Sequence, residues 1–427
     1  MAKSPRSASI YRWWIVGASF IGLSVCQSPV VFLSFGVFMK PLAATFGWGR
    51  GPMSLALSLA ALSLAAVSPI IGAVIDRFGA RRVMLPSMIG FGLLFASLYF
   101  LSGSLLHLYA VYLLLGVVGA GANNVAYVRV ITAWFGRLRG RALGIASSGV
   151  AMGAAALSFL SQQLIDRFGW RVAYLGIGCV ILFVAMPIVA AIIRDRPADL
   201  GFEPEPGIKD APASTPVGVG EILQQPLAWT MIAIGFLVAV SLHGAQIHMV
   251  PLLTDRGMSP DVAAGTMAFI MATCTVISRM VVGSLFDYFF APRVSIIAFL
   301  LSALGLILVM SSDAIWPCYA LAVLMGIGQG AESDVLGYLT SRYFGLRAFG
   351  RVYGMVFAGF MVGTAVAPYL FGVVFDWTHT YQAALGASVA LIVVMCVVLA
   401  TLPRFPRLDE DVLSQSSDAS LTASAQS

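Results

Sequence analysis

The sequence predicts an all-α membrane protein: twelve transmembrane helices in two pseudo-symmetric six-helix halves. Three observations carry this expectation. The chain is 59% hydrophobic and only 10% charged, against roughly 25% charged in an average soluble domain, and no soluble fold hides that much apolar side chain. Stretches of the length a bilayer-crossing helix needs, about 20 mostly apolar residues, occur twelve times, near 13–39, 50–75, 83–102, 107–135, 142–165, 171–193, 226–253, 262–286, 294–311, 316–343, 352–375 and 381–402. The chain also repeats itself. Residues 72–83 read GAVIDRFGARRV and 283–294 read GSLFDYFFAPRV, so Gly72, Asp76, Arg82 and Val83 return 211 positions later as Gly283, Asp287, Arg293 and Val294. At an offset of 210, Gly116, Gly140, Arg141, Gly144, Gly149, Gly153 and Asp166 return as Gly326, Gly350, Arg351, Gly354, Gly359, Gly363 and Asp376.

The elements follow in order from charge and composition. Lys40, Arg50, Arg167, Arg171 and Arg256 fall between odd and even helices, and Arg129 and Arg279 lie inside segments; every other Lys and Arg falls in the N-terminus, the even-to-odd loops or the tail. The positive-inside rule then places both termini in the cytoplasm. The net charge of +6 follows from those loops and does not call for nucleic acid. The first apolar segment is too long for a cleaved signal and is expected to stay as helix one. Cys26, Cys179, Cys274, Cys318 and Cys396 lack metal-ligand or disulfide spacing and read as packing residues. Residues 1–193 form the expected N-terminal bundle, and Pro- and Gly-rich 194–224 a cytoplasmic linker. Residues 225–402 are the C-terminal bundle, and 403–427 a disordered tail. Alternating strands of the outer-membrane barrel kind are absent from the sequence. Gly116, Gly119 and Gly121 with Gly326, Gly328 and Gly330, and Gly144, Gly149 and Gly153 with Gly354, Gly359 and Gly363, read as close helix packing, since small residues let backbones approach in lipid.

Repeated halves around a central site are a transporter architecture, so the chain is expected to move a solute. Twelve helices, the repeat and the G-x-x-x-D-R-F-G-x-R-R loop at Gly72–Arg82 resemble the major facilitator superfamily. The stretches YRWWIV (11–16), SFGVFMKPLAATFGWGR (34–50), WFGRLRGRALGIASSGVAMG (134–153), GAESDVLGYLTSRYFGLRAFGRVYG (330–354) and Arg279-x-x-x-Gly283 are similar to its monocarboxylate porter and oxalate–formate antiporter branch, in a bacterial form. The resemblance implies a loop that gates one membrane face, with Asp76 reinforced by Arg77, Arg81 and Arg82. The second copy keeps Asp287 and Arg293 but has Tyr288 in place of Arg77, a weaker latch. It also implies a small organic anion as substrate, no cofactor, and residence in the cell inner membrane.

Arg279 is the first candidate for substrate contact. It lies eight residues before Asp287, about 12 Å along a helix, near the middle of a roughly 30 Å apolar slab. A cation there is costly unless it faces a wet cavity or a partner, and a guanidinium's planar fork suits two carboxylate oxygens. The alternative is a structural salt bridge to Glu332 or Asp334. Thr275 stands where animal members of the branch carry Asp, Leu33 where they carry Lys, and 352–375 has no Lys where oxalate carriers have one. A lone central cation fits a monoanion better than a dianion. Glu332 and Asp334, about 200° apart on one helix, are proton-coupling candidates, with charge neutralisation of Arg279 or Arg342 as the alternative. His243 and His248 interrupt helix seven, with Gln246 one turn from His243. Asn123 and Asn124 are candidate cavity amides, and Tyr338 shares the face of Asp334. Arg129 is a candidate second charge for the substrate, with an interface or cytoplasmic-gate role as the favoured alternative. No phosphate loop and no covalent-catalysis constellation occurs, so the chain is not expected to be an ATP-driven pump or an enzyme, and no metal site is expected. The partners expected are a small organic anion, protons and the lipid bilayer. Exchange without protons is the second possibility, and a non-transporting sensor a third.

Overall fold

The computed structural model describes residues 5–203, 219–249, 252–253, 257–258, 267–312, 314–345, 349–378 and 380–405. Most of the linker and the tail, 204–218 and 406–427, lie outside the described residues. Among them the secondary structure is helical throughout, and twelve apolar segments succeed one another. Helix α1 runs from Pro5–Ser24 through a π-helical stretch, Ser28–Leu33, into Phe35–Phe46. Then come α2 (Arg50–Phe78), α3 (Ala80–Ser97), α4 (Leu105–Gly119 and, after a break, Asn124–Trp134) and α5 (Arg139–Phe168). The first half closes with α6, in two parts, Trp170–Cys179 and Met186–Ile192. The second half holds α7 (Pro226–Ile247), α8 (Met267–Met271 and Ala272–Leu285), α9 (Ala291–Ser311), α10 (Trp316–Tyr343), α11 (Phe349–Thr378) and α12 (Gln382–Ala400).

Ten of these segments are long and apolar enough to cross a membrane. The apolar run described in α8 is shorter, Phe269–Leu285, and α10 is 28 residues long with Glu332 and Asp334 inside it. A shorter repeat is visible within the first half. Residues 75–79 and 165–169 both read IDRFG, and both end in a glycine with positive φ, +90° at Gly79 and +85° at Gly169. That conformation suits a residue without Cβ, and each glycine turns the chain at once into the next helix.

Two helices in each half decide how the halves meet. α5 packs on α1 of its own half and on α8 of the other; α11 packs on α7 of its own half and on α2 of the other. Their glycines divide the work along the axis. A Cβ at Gly149 or Gly153 would land on the carbonyls of Phe20 and Ser24 in α1, and one at Gly363 would come within 2.7 Å of the Phe236 carbonyl in α7. Toward the face that carries the termini, Gly140 and Gly144 instead meet the carbonyls of Gly283 and Arg279 in α8. Gly350 and Gly354 meet those of Gly72 and Ser68 in α2. The repeated glycines are therefore sites of backbone contact, within each half at one level and between halves at the other.

Candidate functional site

The termini-bearing face is closed by two matching latches. Asp76 occupies the last turn of α2, where a carboxylate opposes the helix dipole. It reaches instead to the start of α11, where helix-end N–H groups lack intrahelical partners. Its oxygens accept bonds from the N–H groups of Gly350 and Arg351, each at 2.9 Å. Arg129 Nε in α4 donates to the same carboxylate at 3.2 Å, and both side chains are buried. Asp287, just past α8, does the same for α5, accepting from the N–H groups of Gly140 at 2.6 Å and Arg141 at 2.9 Å. Burial holds the Asp287 carboxyl above the usual carboxylate range, while the two N–H bonds and the Arg139 and Arg141 charges act against that rise.

The arginines of the loop are not where the motif suggests. The guanidinium on Asp76 comes from Arg129. Arg77 lies over the Phe78 ring at 5.1 Å, and Arg81 donates to the Ala190 carbonyl of α6 at 2.8 Å. Arg82 is exposed on the first turn of α3. Arg293 is likewise exposed on the first turn of α9, and the cations acting on Asp287 are Arg139 and Arg141. The physical reason is common to all four: the latch aspartates meet backbone N–H groups of the opposite half and arginines from other helices, Arg129 for Asp76 and Arg139 with Arg141 for Asp287, so the loop's own cations turn elsewhere. A further interface cation, Arg139, escaped the sequence reading because it looks like loop charge. It is buried and donates to the carbonyls of Phe135 (3.1 Å) and Thr132 (3.3 Å) and to Ser341 Oγ of α10 (3.1 Å).

Deeper along the same axis lies a polar cluster built from both halves. Arg279 in α8 is 8% exposed. Its Nη1 donates to the Ser147 carbonyl of α5 at 3.2 Å and stands 4.0 Å from Asp334 Oδ1. α10 packs against both α7 and α8, so carboxylates on opposite sides of it find different partners. Asp334 meets Arg279, and Glu332 Oε2 stands 3.9 Å from His243 Nδ1 of α7. The His243 ring meets Phe360 edge-on, at 5.5 Å between centroids. On the side toward the termini, Asn124 Nδ2 donates to the Tyr353 hydroxyl at 3.0 Å, a bond between the halves that joins α4 and α11. Tyr353, Ser147 and Gln329 are members of this cluster. The first two carried no signal in the sequence, while Gln329 lies three residues before Glu332 and so on its side of α10.

Arg279 Nε, His243 Nδ1, Gln329 Nε2, Glu332 Oε2 and Asn124 Oδ1 are all buried without a hydrogen-bond partner among the described residues. An unmet buried polar atom costs about 1–3 kcal/mol, and native proteins show few of them. Arg279, His243, Gln329 and Glu332 lie on α7, α8 and α10 of the second half, and Asn124 faces α11 from the first.

Four expected contact residues lie elsewhere or are spent otherwise. Tyr338 is one turn beyond Asp334 toward the termini, and its hydroxyl donates to the Phe286 carbonyl at 2.8 Å, beside the Asp287 latch. Asn123 accepts from the Asn124 N–H at 2.8 Å and starts the second part of α4. His248 packs between Phe371 (5.8 Å) and Tyr381 (5.7 Å), beyond the far end of α7. Gln246 is half-buried in the last turn of α7, one turn beyond His243.

A bundle of repeated halves, latched on one face and polar at its middle, defines a class of membrane transporters. The chain belongs to the Major Facilitator Superfamily, whose model matches residues 15–291 and 249–423. It is 27% identical over 405 residues to monocarboxylate transporter 13 of Bos taurus, covering 92% of this chain and 90% of that protein. It is 25% identical to the uncharacterized MFS-type transporter YcxA of Bacillus subtilis, with 93% and 94% covered. The crystal structure of the human organic anion transporter MFSD10 shares the fold, with a TM-score of 0.71 at 14% identity over 93% of this chain and 100% of that one.

Proposed function

We propose that the protein carries a small monocarboxylate together with a proton, by alternating access, across the cell inner membrane with both termini in the cytoplasm. The observation that carries this reading is the Arg279 guanidinium. It is buried, and Nη1 is its one bonded nitrogen among the described residues while Nε is buried without a bond. A planar fork with an unspent edge suits a carboxylate, and one such cation suits a single negative charge. Asp334 at 4.0 Å competes with an incoming anion for the same guanidinium. Protonating Asp334, or Glu332 beside His243, would free positive charge for the substrate, which is a route to coupling. The relative named as a monocarboxylate transporter supports the substrate class. On this orientation the latched face is the cytoplasmic one, so the conformation described is closed to the cytoplasm, and the bundles 1–193 and 225–402 are the moving bodies.

The test is uptake of labelled lactate, pyruvate and acetate into proteoliposomes, with and without an inward proton gradient. Uptake stimulated by the gradient supports the proposal. Uptake that ignores the gradient but needs internal substrate indicates exchange, and a folded protein that moves no acid rejects the substrate class.

A further inference from the structure

A second cluster of cations lies outside the central site. At the termini-bearing face the ends of α2, α4 and α6 and the start of α3 enclose a basin of about 450 Å³. Arg77, Arg81, Arg82, Arg129, Arg194 and Arg196 line it with Asp76, Asp195 and Asp199, leaving a net charge of +3. The carboxylates are turned to backbone donors. Asp76 takes the α11 N–H groups, Asp195 accepts from the Arg81 N–H at 2.8 Å, and Asp199 from the Arg196 N–H at 3.0 Å.

The guanidiniums meet mostly uncharged groups. Arg194 and Arg81 donate to α6 carbonyls, Arg77 covers a ring, and Arg81 Nε is buried without a partner. Among the described residues, Arg129 is the one of the six with a carboxylate oxygen within 4 Å. The basin thus concentrates guanidinium donors whose charge the described residues neutralise only in part. Such forks match the oxygens of a phosphate group, which takes several of them at once. Phe78, 49% exposed, lines the same basin and adds an apolar edge.

We propose that this basin binds a phosphate-bearing anion, distinct from the solute carried through the centre. The phosphate could belong to a soluble polyphosphate or to an anionic lipid headgroup, and both offer the same oxygens to the same arginines. The site does not depend on the identity of the transported acid.

The test uses the full chain in phosphatidylcholine nanodiscs, titrated with sodium tripolyphosphate at constant ionic strength and followed by its thermal unfolding. A parallel series replaces part of the phosphatidylcholine by phosphatidylglycerol. Saturable stabilisation by tripolyphosphate, weakened at least tenfold in the double variant Arg194→Gln/Arg196→Gln and less in Arg194→Lys/Arg196→Lys, is the result expected for a soluble ligand. Stabilisation by phosphatidylglycerol alone, lost in the Gln variant, assigns the site to lipid. Should the double variant not fold, Arg82→Gln at the exposed rim provides the same comparison. A wild type that responds to neither probe, or a Gln variant that responds like wild type, overturns the proposal.

Discussion

Replacing Asp76 by Asn tests the first latch without changing its shape. The carboxylate accepts three bonds, from Gly350 N–H, Arg351 N–H and Arg129 Nε. Asn keeps one carbonyl oxygen, so one backbone N–H keeps its acceptor while the amide nitrogen turns a donor toward the other. The buried Arg129 also loses its countercharge. A hydrogen bond to a charged group is worth about 1.5–3 kcal/mol, and breaking one side of a buried pair costs about 3–5 kcal/mol. The closed face should therefore lose roughly 3–5 kcal/mol relative to the open one, a shift of about two to three and a half powers of ten at 1.4 kcal/mol per tenfold. Spin labels at Phe78 and Phe289, exposed at the ends of α2 and α8, would report the separation of the halves by double electron–electron resonance, in a background without the five native cysteines. The variant should populate a longer distance that the parent lacks. An unchanged distance distribution in a folded variant would refute the latch argument.

Three further outcomes follow from the same geometry. Gly144→Val places a branched side chain against the Arg279 carbonyl; overpacking of this kind costs about 1–3 kcal/mol, and the same label pair should separate. Tyr353→Phe removes the bond from Asn124, worth about 1 kcal/mol, and should raise the population of the longer distance between the same two labels by about fivefold. Glu332→Gln and Asp334→Asn should separate functions: the proton carrier's variant keeps exchange of labelled acid but loses gradient-driven uptake. Full gradient-driven uptake in both single variants and in the double would remove these carboxylates from the coupling step.

The repeat made much of this architecture legible in advance, because latch chemistry needs the same residue types at both interfaces. Gly72 with Asp76, and Gly283 with Asp287, mark places where a helix end must approach another backbone closely enough for a carboxylate to cap it. Which cation accompanies Asp76 was not legible. Arg77, Arg81 and Arg82 are near in sequence, but Arg129 is near in space, and that depends on how α4 lies against α2. Tyr338 shows the limit of helical-wheel reasoning. Sharing a face with Asp334 is angular information, and one turn along the axis was enough to bond it to Phe286 instead of joining Arg279. Glu332 and Asp334 show the converse. Their angular separation was readable, but its consequence, one carboxylate for His243 and one for Arg279, needed the position of α10 between α7 and α8.

The most direct measurement is equilibrium binding and uptake of a labelled monocarboxylate by Arg279→Lys and Arg279→Ala beside wild type, with folding checked by thermal unfolding. Lys keeps the charge but loses the fork, so binding should weaken by tenfold or more in Arg279→Lys and vanish in Arg279→Ala while both remain folded. Binding and uptake at wild-type levels in either folded variant would contradict the claim that Arg279 receives the substrate.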